Sequence, residues 1–220
     1  MPANIYKNKD GKRIPGVTTV IGGNLGWKTG GLLHWAWNEG IEGRDFNATR
    51  DKAADTGTLA HAMVEAHIKK MLTGEEVDYK SLVDMRTVTD EMLEQAFNAY
   101  GEFVDWANRY QFNPIYTEHK LISEQLQVGA QIDIASVEGE VAITDIKTSN
   151  DIHADHIIQV AAYNKVWIEN YPDQIPKSHS ILQLGKDGGF TYKSLSKKQI
   201  ENGGRAFVLL RELHDLKKVI

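Results

Sequence analysis

Three β-strand patterns follow one another in the middle of the chain, and this run constrains the fold more than any other feature. Residues 115–122 are rich in β-branched and aromatic side chains, 127–137 alternate between apolar and polar positions, and 141–147 form a third apolar-rich run. Glu138-Gly139 is typical of a tight turn, so the second and third strands are predicted to pair antiparallel. The run therefore predicts a sheet built around consecutive strands.

Helical periodicity lies on both sides of these strands. Helices are predicted over 48–72, 86–109, 153–170 and 197–217, and two further strands over 180–184 and 190–193. This order predicts an α/β fold with a mixed central sheet flanked by helices. We treat residues 1–220 as one domain, with a mainly helical part over 1–110 and a sheet-containing core over 111–220.

The composition excludes several classes of protein and several kinds of site. There is no cysteine, which excludes disulfides, iron–sulfur clusters, thiolate zinc sites and cysteine nucleophiles. Apolar runs stay shorter than about 18 residues, and the first residues lack an apolar signal core, so we expect a cytoplasmic protein without a membrane span. The net charge of −5 argues against a nonspecific binder of polyanions. The acidic excess lies in residues 61–150, however, and both flanks are mildly basic.

A carboxylate and an ammonium end the third strand. Asp145 and Lys147 are two residues apart, so a strand projects both side chains from one face. Such a pair can bind a divalent metal ion and orient a water molecule beside it. The alternative is a surface ion pair, which is common and weak.

Asp133 lies in the middle of the preceding strand, where aspartate is disfavoured because of its low β-propensity. If Ile132 and Ile134 face the core, Asp133 shares a face with Gln131. A symmetric two-residue turn would place Asp133 opposite Thr144, next to the carboxylate that follows it. Two carboxylates held this close repel unless a cation lies between them, and Mg²⁺ or Mn²⁺ suits an oxygen-rich site. A solvent-exposed aspartate is the alternative.

Two helices carry polar pairs at four-residue spacing, which places each pair on one helix face. His61 and Glu65 could supply a metal ligand and its outer partner, or could be solvated side chains on the surface of a helix. Gln159 and Tyr163 follow the strand that holds Asp145 and could bind a phosphate, a base or a catalytic water. The alternative is an amphipathic helix whose tyrosine packs on the sheet.

In this order and spacing, the residues resemble the RecB-like branch of the PD-(D/E)XK nuclease superfamily. The matching positions are His61, 129–133, 145–147 and 159–163. Glu118 matches a glutamate that often precedes the G-x-x-D strand of this branch. Residues 14–20 and 33–37 resemble the helical N-terminal part of mitochondrial and phage exonucleases. Because it has no cysteine, the chain resembles the members of this branch that lack an iron–sulfur cluster.

The resemblance implies a restriction-endonuclease-like core with a helical N-terminal elaboration. It also implies that His61, Asp133, Asp145 and the backbone carbonyl of Ile146 ligate Mg²⁺ or Mn²⁺. In the family, such an ion activates a water molecule for attack on a phosphodiester and leaves a 5′-phosphate end.

The same resemblance implies roles for the neighbouring polar residues. Lys147 would position the water and offset negative charge in the transition state. Glu118 or Glu65 could hold a second ion or a water ligand, and Gln159 and Tyr163 would steady the nucleophile or the DNA strand.

Contacts to DNA are predicted from aromatic and basic side chains outside this centre. Aromatic rings beside cations suit stacking on unpaired bases, although a small hydrophobic core is the alternative for the tryptophans. The candidate contacts are Lys28, Trp35, Trp37, Arg44, Arg50 and Lys193.

The leading prediction is a Mg²⁺- or Mn²⁺-dependent DNA exonuclease that acts at ends with single-stranded character in recombination, repair or replication. We expect it to be phage-encoded, located in the host cytoplasm, and to work with a recombination or replication protein. A structure-specific endonuclease and a noncatalytic recombination accessory protein are the alternatives. DNA binding is expected to be weak without divalent metal and strongly salt-sensitive with it.

Overall fold

The computed structural model describes residues 4–26, 29–137 and 141–220. The strands are β1 (Tyr6–Lys7), β2 (Arg13–Ile14), β3 (Pro114–Ser123), β4 (Val128–Val137), β5 (Val141–Lys147), β6 (Ser178–Leu184) and β7 (Phe190–Ser194). The helices are α1 (Val17–Asn24), α2 (Thr29–Ile41), α3 (Phe46–Thr73), α4 (Asp90–Arg109), α5 (Ala154–Asn170) and α6 (Lys197–Leu216). Two short 3-10 turns, Tyr79–Ser81 and Met85–Thr87, connect α3 to α4.

The central sheet has five strands in the order β3-β4-β5-β6-β7, which is also their order along the chain. The β5–β6 pair is parallel, and the other three pairs are antiparallel. A parallel pair needs a crossover connection, and α5 provides it. The predicted α/β class with a mixed sheet flanked by helices is thereby confirmed.

Helices cover both faces of this sheet. Side chains of α1, α5 and α6 pack with β4 and β5 in one hydrophobic cluster, which includes the fully buried Trp167 and Phe207. Side chains of α3 and α4 pack with the other face in a second cluster around Phe103 and Leu182. Burial of the sheet on both sides explains why successive residues of β5, Val141-Ala142-Ile143, are apolar instead of alternating with polar ones.

The pairing of β4 with β5 differs from the predicted register by one residue. Ile134 pairs with Thr144 and Val137 with Val141, which leaves three residues between the strands instead of two. The predicted placement of Asp133 opposite Thr144 is therefore wrong, because the longer connection shifts Asp133 level with Asp145. The predicted turn at Glu138-Gly139 lies outside the described residues.

Helix α3 has well-defined ends. The Asp45 carboxylate accepts the N–H groups of Asn47 and Ala48 at 2.7 and 3.2 Å, and Gly74 ends the helix with a left-handed φ of 76°. Between these residues α3 runs for 28 residues and carries the stretch predicted as helix 48–72. Such a long capped helix gives the side chains in its middle a fixed position against the sheet.

Helices α5 and α6 approach each other closely at Gly203. An ideal Cβ on Gly203 would lie 2.9 Å from the Cβ of Ala161 and 3.3 Å from the carbonyl oxygen of Ile157. The glycine therefore allows the helix contact, although glycine lowers helix propensity.

We expect Gly203→Leu to lower the free energy of unfolding by about 1–3 kcal/mol, because the added side chain overpacks this contact. Gly101→Ala is the control, since Gly101 lies within α4 with nothing within 4 Å of an added Cβ. That change should stabilise the protein by about 0.5–1 kcal/mol. Urea unfolding of both variants measures the difference, and equal stabilities would contradict the close-contact explanation.

None of the helices within the described residues combines the length and apolarity needed to cross a membrane.

Candidate active site

A cavity of about 240 Å³ opens where α3 and α5 meet β3, β4 and the end of β5. The β1–β2 hairpin and the start of α1 form its remaining wall. Polar side chains from segments far apart in sequence line it, namely Asn4, Tyr6, Thr18, His61, Glu118, Gln131, Asp133, Lys147, Gln159 and Tyr163. Asp145 is fully buried and borders this set through its contacts with Lys147 and Gln159.

The buried Asp145–Lys147 pair lies at the end of β5. Lys147 Nζ is 2.6 Å from Asp145 Oδ2, and Gln159 Nε2 donates to Asp145 Oδ1 at 2.9 Å. Burial raises the pKa of Asp145 to about 6, although Lys147 acts in the opposite direction. Burial alone would lower the pKa of Lys147, but Asp145 and Asp133 outweigh it and raise that pKa. Lys147 is therefore an ammonium at neutral pH, and the pair is not a surface ion pair.

Asp133 lies at a break in the alternation of β4. Ile132 packs in the cluster under α5 and α6, whereas Ile134 packs in the cluster under α3 and α4. The two isoleucines therefore pack on opposite faces of the sheet, whereas Gln131 and Asp133 both line the cavity. Glu118 lies level with this break, between the paired residues Thr117 and His119, and its φ of 49° departs from regular strand geometry. Asp133 Oδ2 accepts the backbone N–H of Ile146 at 2.7 Å, so the aspartate is fixed against β5.

His61, Glu118 and Asp133 converge on one point. One ligand atom from each side chain lies within 4.8 Å of the other two. Burial and the neighbouring Asp133 raise the pKa of Glu118 to about 8, and burial raises that of Asp133. Burial and Lys147 lower the pKa of His61 to about 4, so its imidazole is neutral and able to bind a metal ion.

These residues fit a divalent cation. One neutral imidazole and two carboxylates offer nitrogen and oxygen ligands of the kind that Mn²⁺ and Mg²⁺ accept. Burial and the negative charge of Asp133 disfavour ionisation of Glu118, and a cation held between the two carboxylates would favour it. Asp145, which is also predicted as a ligand, contacts Lys147 and Gln159 next to this group. Ile146 contributes its N–H to Asp133.

The remaining predicted site residues lie beside the cavity. Glu65 is one helical turn from His61 and forms an ion pair with Lys69 at 2.6 Å. Gln159 donates to the hydroxyl of Tyr163 at 2.7 Å as well as to Asp145. Tyr163 is 3% exposed, and its pKa is raised well above the usual value by burial. Gln159 thus links α5 to the end of β5.

Most of the side chains predicted to contact DNA in residues 33–50 make contacts with other side chains of the protein. Glu39, which is buried, accepts hydrogen bonds from Arg44 at 2.7 and 2.8 Å and from Trp35 at 3.2 Å. Trp35 also packs edge-on against Phe46, with ring centroids 4.8 Å apart. This small cluster joins α2 to the start of α3.

The other candidate contacts are scattered. Arg50 pairs with Asp51 at 2.8 Å, and Trp37 is 68% exposed on α2. Lys193 lies on β7, two strands away from Asp145 through Ile181 of β6. Lys28 lies outside the described residues. Trp37, Arg50 and Lys193 do not line the cavity.

Sequence reasoning did not place the hairpin residues Asn4 and Tyr6 at the site. Asn4 Nδ2 donates to Gln131 Oε1 at 2.5 Å, and Gln131 Nε2 donates to Glu118 Oε2. The ring of Tyr6 lies directly over Gly129. The glycine at the start of 129–133 was the signal available, because a strand glycine indicates a close approach of another group.

Comparison with protein-family models gives a match over most of the chain. The family model described as the PD-(D/E)XK nuclease superfamily matches residues 32–217. No curated protein matches the chain.

Two solved structures illustrate how distant the structural likenesses are. A protein described as a "Putative exonuclease" from Eubacterium rectale is 11% identical, with a TM-score of 0.48 over 70% of this chain and 64% of its own. The protein SSO0001 is 10% identical, with a TM-score of 0.32 over 72% of this chain and 74% of its own. The chain thus spans less than two thirds of the Eubacterium rectale protein.

Proposed function

The chain belongs to the PD-(D/E)XK nuclease superfamily, and from this premise we propose that it is a divalent-metal-dependent exonuclease acting on DNA ends with single-stranded character. The observation that carries the proposal is the buried Asp145–Lys147 pair beside the convergent ligand group His61, Glu118 and Asp133. An ammonium, a set of metal ligands and an open cavity together meet the chemical needs of phosphodiester hydrolysis.

In this proposal His61, Glu118 and Asp133 hold Mg²⁺ or Mn²⁺, with Asp145 and the carbonyl of Ile146 as further ligands at the end of β5. The bound ion would supply Lewis-acid polarisation of a phosphate oxygen and a more acidic water. The Asp133–Ile146 hydrogen bond keeps β4 and β5 in register at this point. Glu65, one turn from His61, would support a second ion or a water ligand.

Lys147 would donate hydrogen bonds rather than act as a base, because its pKa is raised by Asp145 and Asp133. Its ammonium can orient the attacking water and offset the negative charge that grows on the phosphate oxygens. Asp145 holds that ammonium at 2.6 Å. Gln159 anchors Asp145 from the other side and, with Tyr163, would steady the water or the strand.

A second, larger groove supports binding of a nucleic acid strand. It encloses about 660 Å³ between α3, the start of α4 and the β6–β7 connection, and residues 148–150 after Lys147 form part of its wall. Neutral hydrogen-bonding groups such as Thr49, Gln95 and Gln183 line it. Lys52 and Lys186 also line it, together with the acidic Glu91 and Asp187, and Lys52 forms an ion pair with Glu91 at 2.6 Å. We propose that the strand leaves the cavity along this groove, and that Trp37, Arg50 and Lys193 contribute at most peripheral contacts.

Linear and circular DNA distinguish the proposed activity from its alternatives. With Mg²⁺ or Mn²⁺, we expect degradation of 5′- and 3′-labelled linear strands and no cleavage of circular single-stranded or duplex DNA. Cleavage of the circles would make the protein an endonuclease. No degradation of any substrate with either metal would favour an accessory role in recombination, repair or replication, in which a phage-encoded protein would work with a recombination or replication partner.

Removal of metal should abolish hydrolysis. EDTA in excess over the divalent ion is expected to reduce the rate on linear DNA by at least about 10²-fold, because the carboxylates and Lys147 alone do not generate a nucleophile at neutral pH. Mn²⁺ added back in excess should restore the rate. Undiminished hydrolysis in EDTA would contradict the proposed role of the ligand group.

A further inference from the structure

The N-terminal hairpin is attached to β4 at two points beside the cavity. The N–H of Gly129 donates to the carbonyl oxygen of Pro15 at 2.9 Å, and Asn8 Nδ2 donates to Gln127 Oε1 at 2.7 Å. These bonds hold residues 4–16 along the strand that carries Asp133. The hairpin is therefore a wall of the cavity with a defined position.

Gly129 leaves the space in which the ring of Tyr6 packs against β4. An ideal Cβ on Gly129 would lie 1.9 Å from Cγ of Tyr6, so any side chain there would displace the ring. Burial raises the pKa of the Tyr6 phenol, and the negative charge of the nearby Glu118 raises it further. The ring thus anchors the hairpin within electrostatic range of the ligand group.

Asn4 determines which end of the Gln131 amide faces the cavity. Its Nδ2 donates to Gln131 Oε1 at 2.5 Å, which leaves the Gln131 NH₂ group to donate to Glu118 Oε2. An amide has one accepting and one donating end, so the first bond dictates the polarity of the second. If the Gln131 amide turned over, its oxygen would face the Glu118 carboxylate and repel it.

We propose that Gln131 is a positioning residue that holds the Glu118 carboxylate beside His61 and Asp133, and that the hairpin sets its direction through Asn4. This inference rests on the proposed metal site. Glu118 occupies a left-handed backbone position at the break in the sheet, where regular strand pairing does not fix it. A hydrogen bond from Gln131 supplies the missing constraint.

Three substitutions test this arrangement. Mn²⁺ binding to each variant is measured by electron paramagnetic resonance in the absence of DNA. Gln131→Met removes both ends of the amide at similar length, and should weaken Mn²⁺ binding about 10-fold, since outer partners of metal ligands contribute on this scale. Asn4→Leu removes the donor without adding a charge to the cavity, and should weaken binding several-fold because the direction of the Gln131 amide is then no longer fixed. Gln125→Met, at an exposed position between β3 and β4, is the matched control and should bind as wild type.

The double variant Asn4→Leu/Gln131→Met distinguishes an effect transmitted through Gln131 from two independent effects. We expect its Mn²⁺ affinity to equal that of Gln131→Met, because the hydrogen bonds connect Asn4 to Glu118 through that amide. Additive losses would overturn the role of the hairpin. Binding by Gln131→Met within twofold of wild type would overturn the role of Gln131. Asn4 is exposed, so Asn4→Leu tests the idea even if Gln131→Met fails to fold.

DNA hydrolysis provides a second readout. For Gln131→Met, we expect a higher metal concentration for half-maximal rate and a nearly normal rate at saturating metal. A rate that stays low at saturating metal would overturn a role in positioning a ligand. If wild type binds Mn²⁺ but degrades no DNA, the proposed function fails while the Mn²⁺ differences still support the inference. If wild type binds no Mn²⁺ at millimolar concentration, both fail.

Discussion

Asp145→Asn is expected to lower the rate of DNA hydrolysis by about 10³-fold while leaving the protein folded. The asparagine keeps an oxygen that can accept from Gln159, so packing under α5 is retained. It removes the negative charge that holds the Lys147 ammonium at 2.6 Å, and with it a proposed metal ligand. Loss of the charge should therefore affect water orientation and metal binding together. Single-turnover degradation of a labelled linear strand in saturating Mn²⁺ measures the effect.

Asp151→Asn is the control for this variant, since Asp151 is exposed and lies four residues beyond Lys147. It should retain the wild-type rate. Thermal unfolding of both variants shows whether the fold survives. An Asp145→Asn protein that is folded and hydrolyses DNA within threefold of wild type would exclude Asp145 from the proposed chemistry.

Glu118→Gln should stabilise the metal-free protein at alkaline pH and impair the enzyme. Burial and Asp133 raise the pKa of Glu118 from 4.5 to about 8, so the folded state favours the protonated acid. Stability from this group is complete below pH 4.5 and is lost as the pH rises through 8. Glutamine mimics the protonated form at every pH. The variant should therefore gain on the order of 2–4 kcal/mol at pH 9 and little at pH 4.

The same substitution removes a proposed ligand, and we expect about 10²-fold weaker hydrolysis at limiting metal. Urea unfolding at pH 4, 7 and 9 in EDTA gives the stability profile. Glu94→Gln, at an exposed position on α4, is the control and should shift neither quantity. A destabilised Glu118→Gln protein at pH 9 would show that the carboxylate makes a favourable contact in the absence of metal.

Local patterns predicted the elements of the fold because the determining forces act over a few residues. The alternation in 127–137 and the apolar run in 141–147 follow from burial of sheet faces, and the mixed sheet follows from their order. The one-residue error at Thr144 arose because the length of the connection between β4 and β5 has no unambiguous signature. A single extra residue there moved Asp133 level with Asp145.

The site was predictable where one element carries two of its groups. Asp145 and Lys147 share a strand face, and Gln159 and Tyr163 share a helix face. Contacts that join distant segments left no pattern in the sequence. The hydrogen bond between Asn4 and Gln131 spans 127 residues. Arg44 was predicted as a DNA contact from its charge, whereas its bonds to Glu39 depend on how α2 meets α3.

The attachment of the hairpin to β4 has a consequence for synthesis of the protein. Asn8 and Gln127, which bind each other, are 119 residues apart. At about 5–20 residues per second, the ribosome makes the second partner roughly 6–24 s after the first. Throughout this interval Tyr6 cannot pack against Gly129, and the cavity lacks the wall next to Glu118. The proposed metal site is thus complete only after β4 has emerged and the hairpin has docked, so the site cannot form until much of the sheet exists.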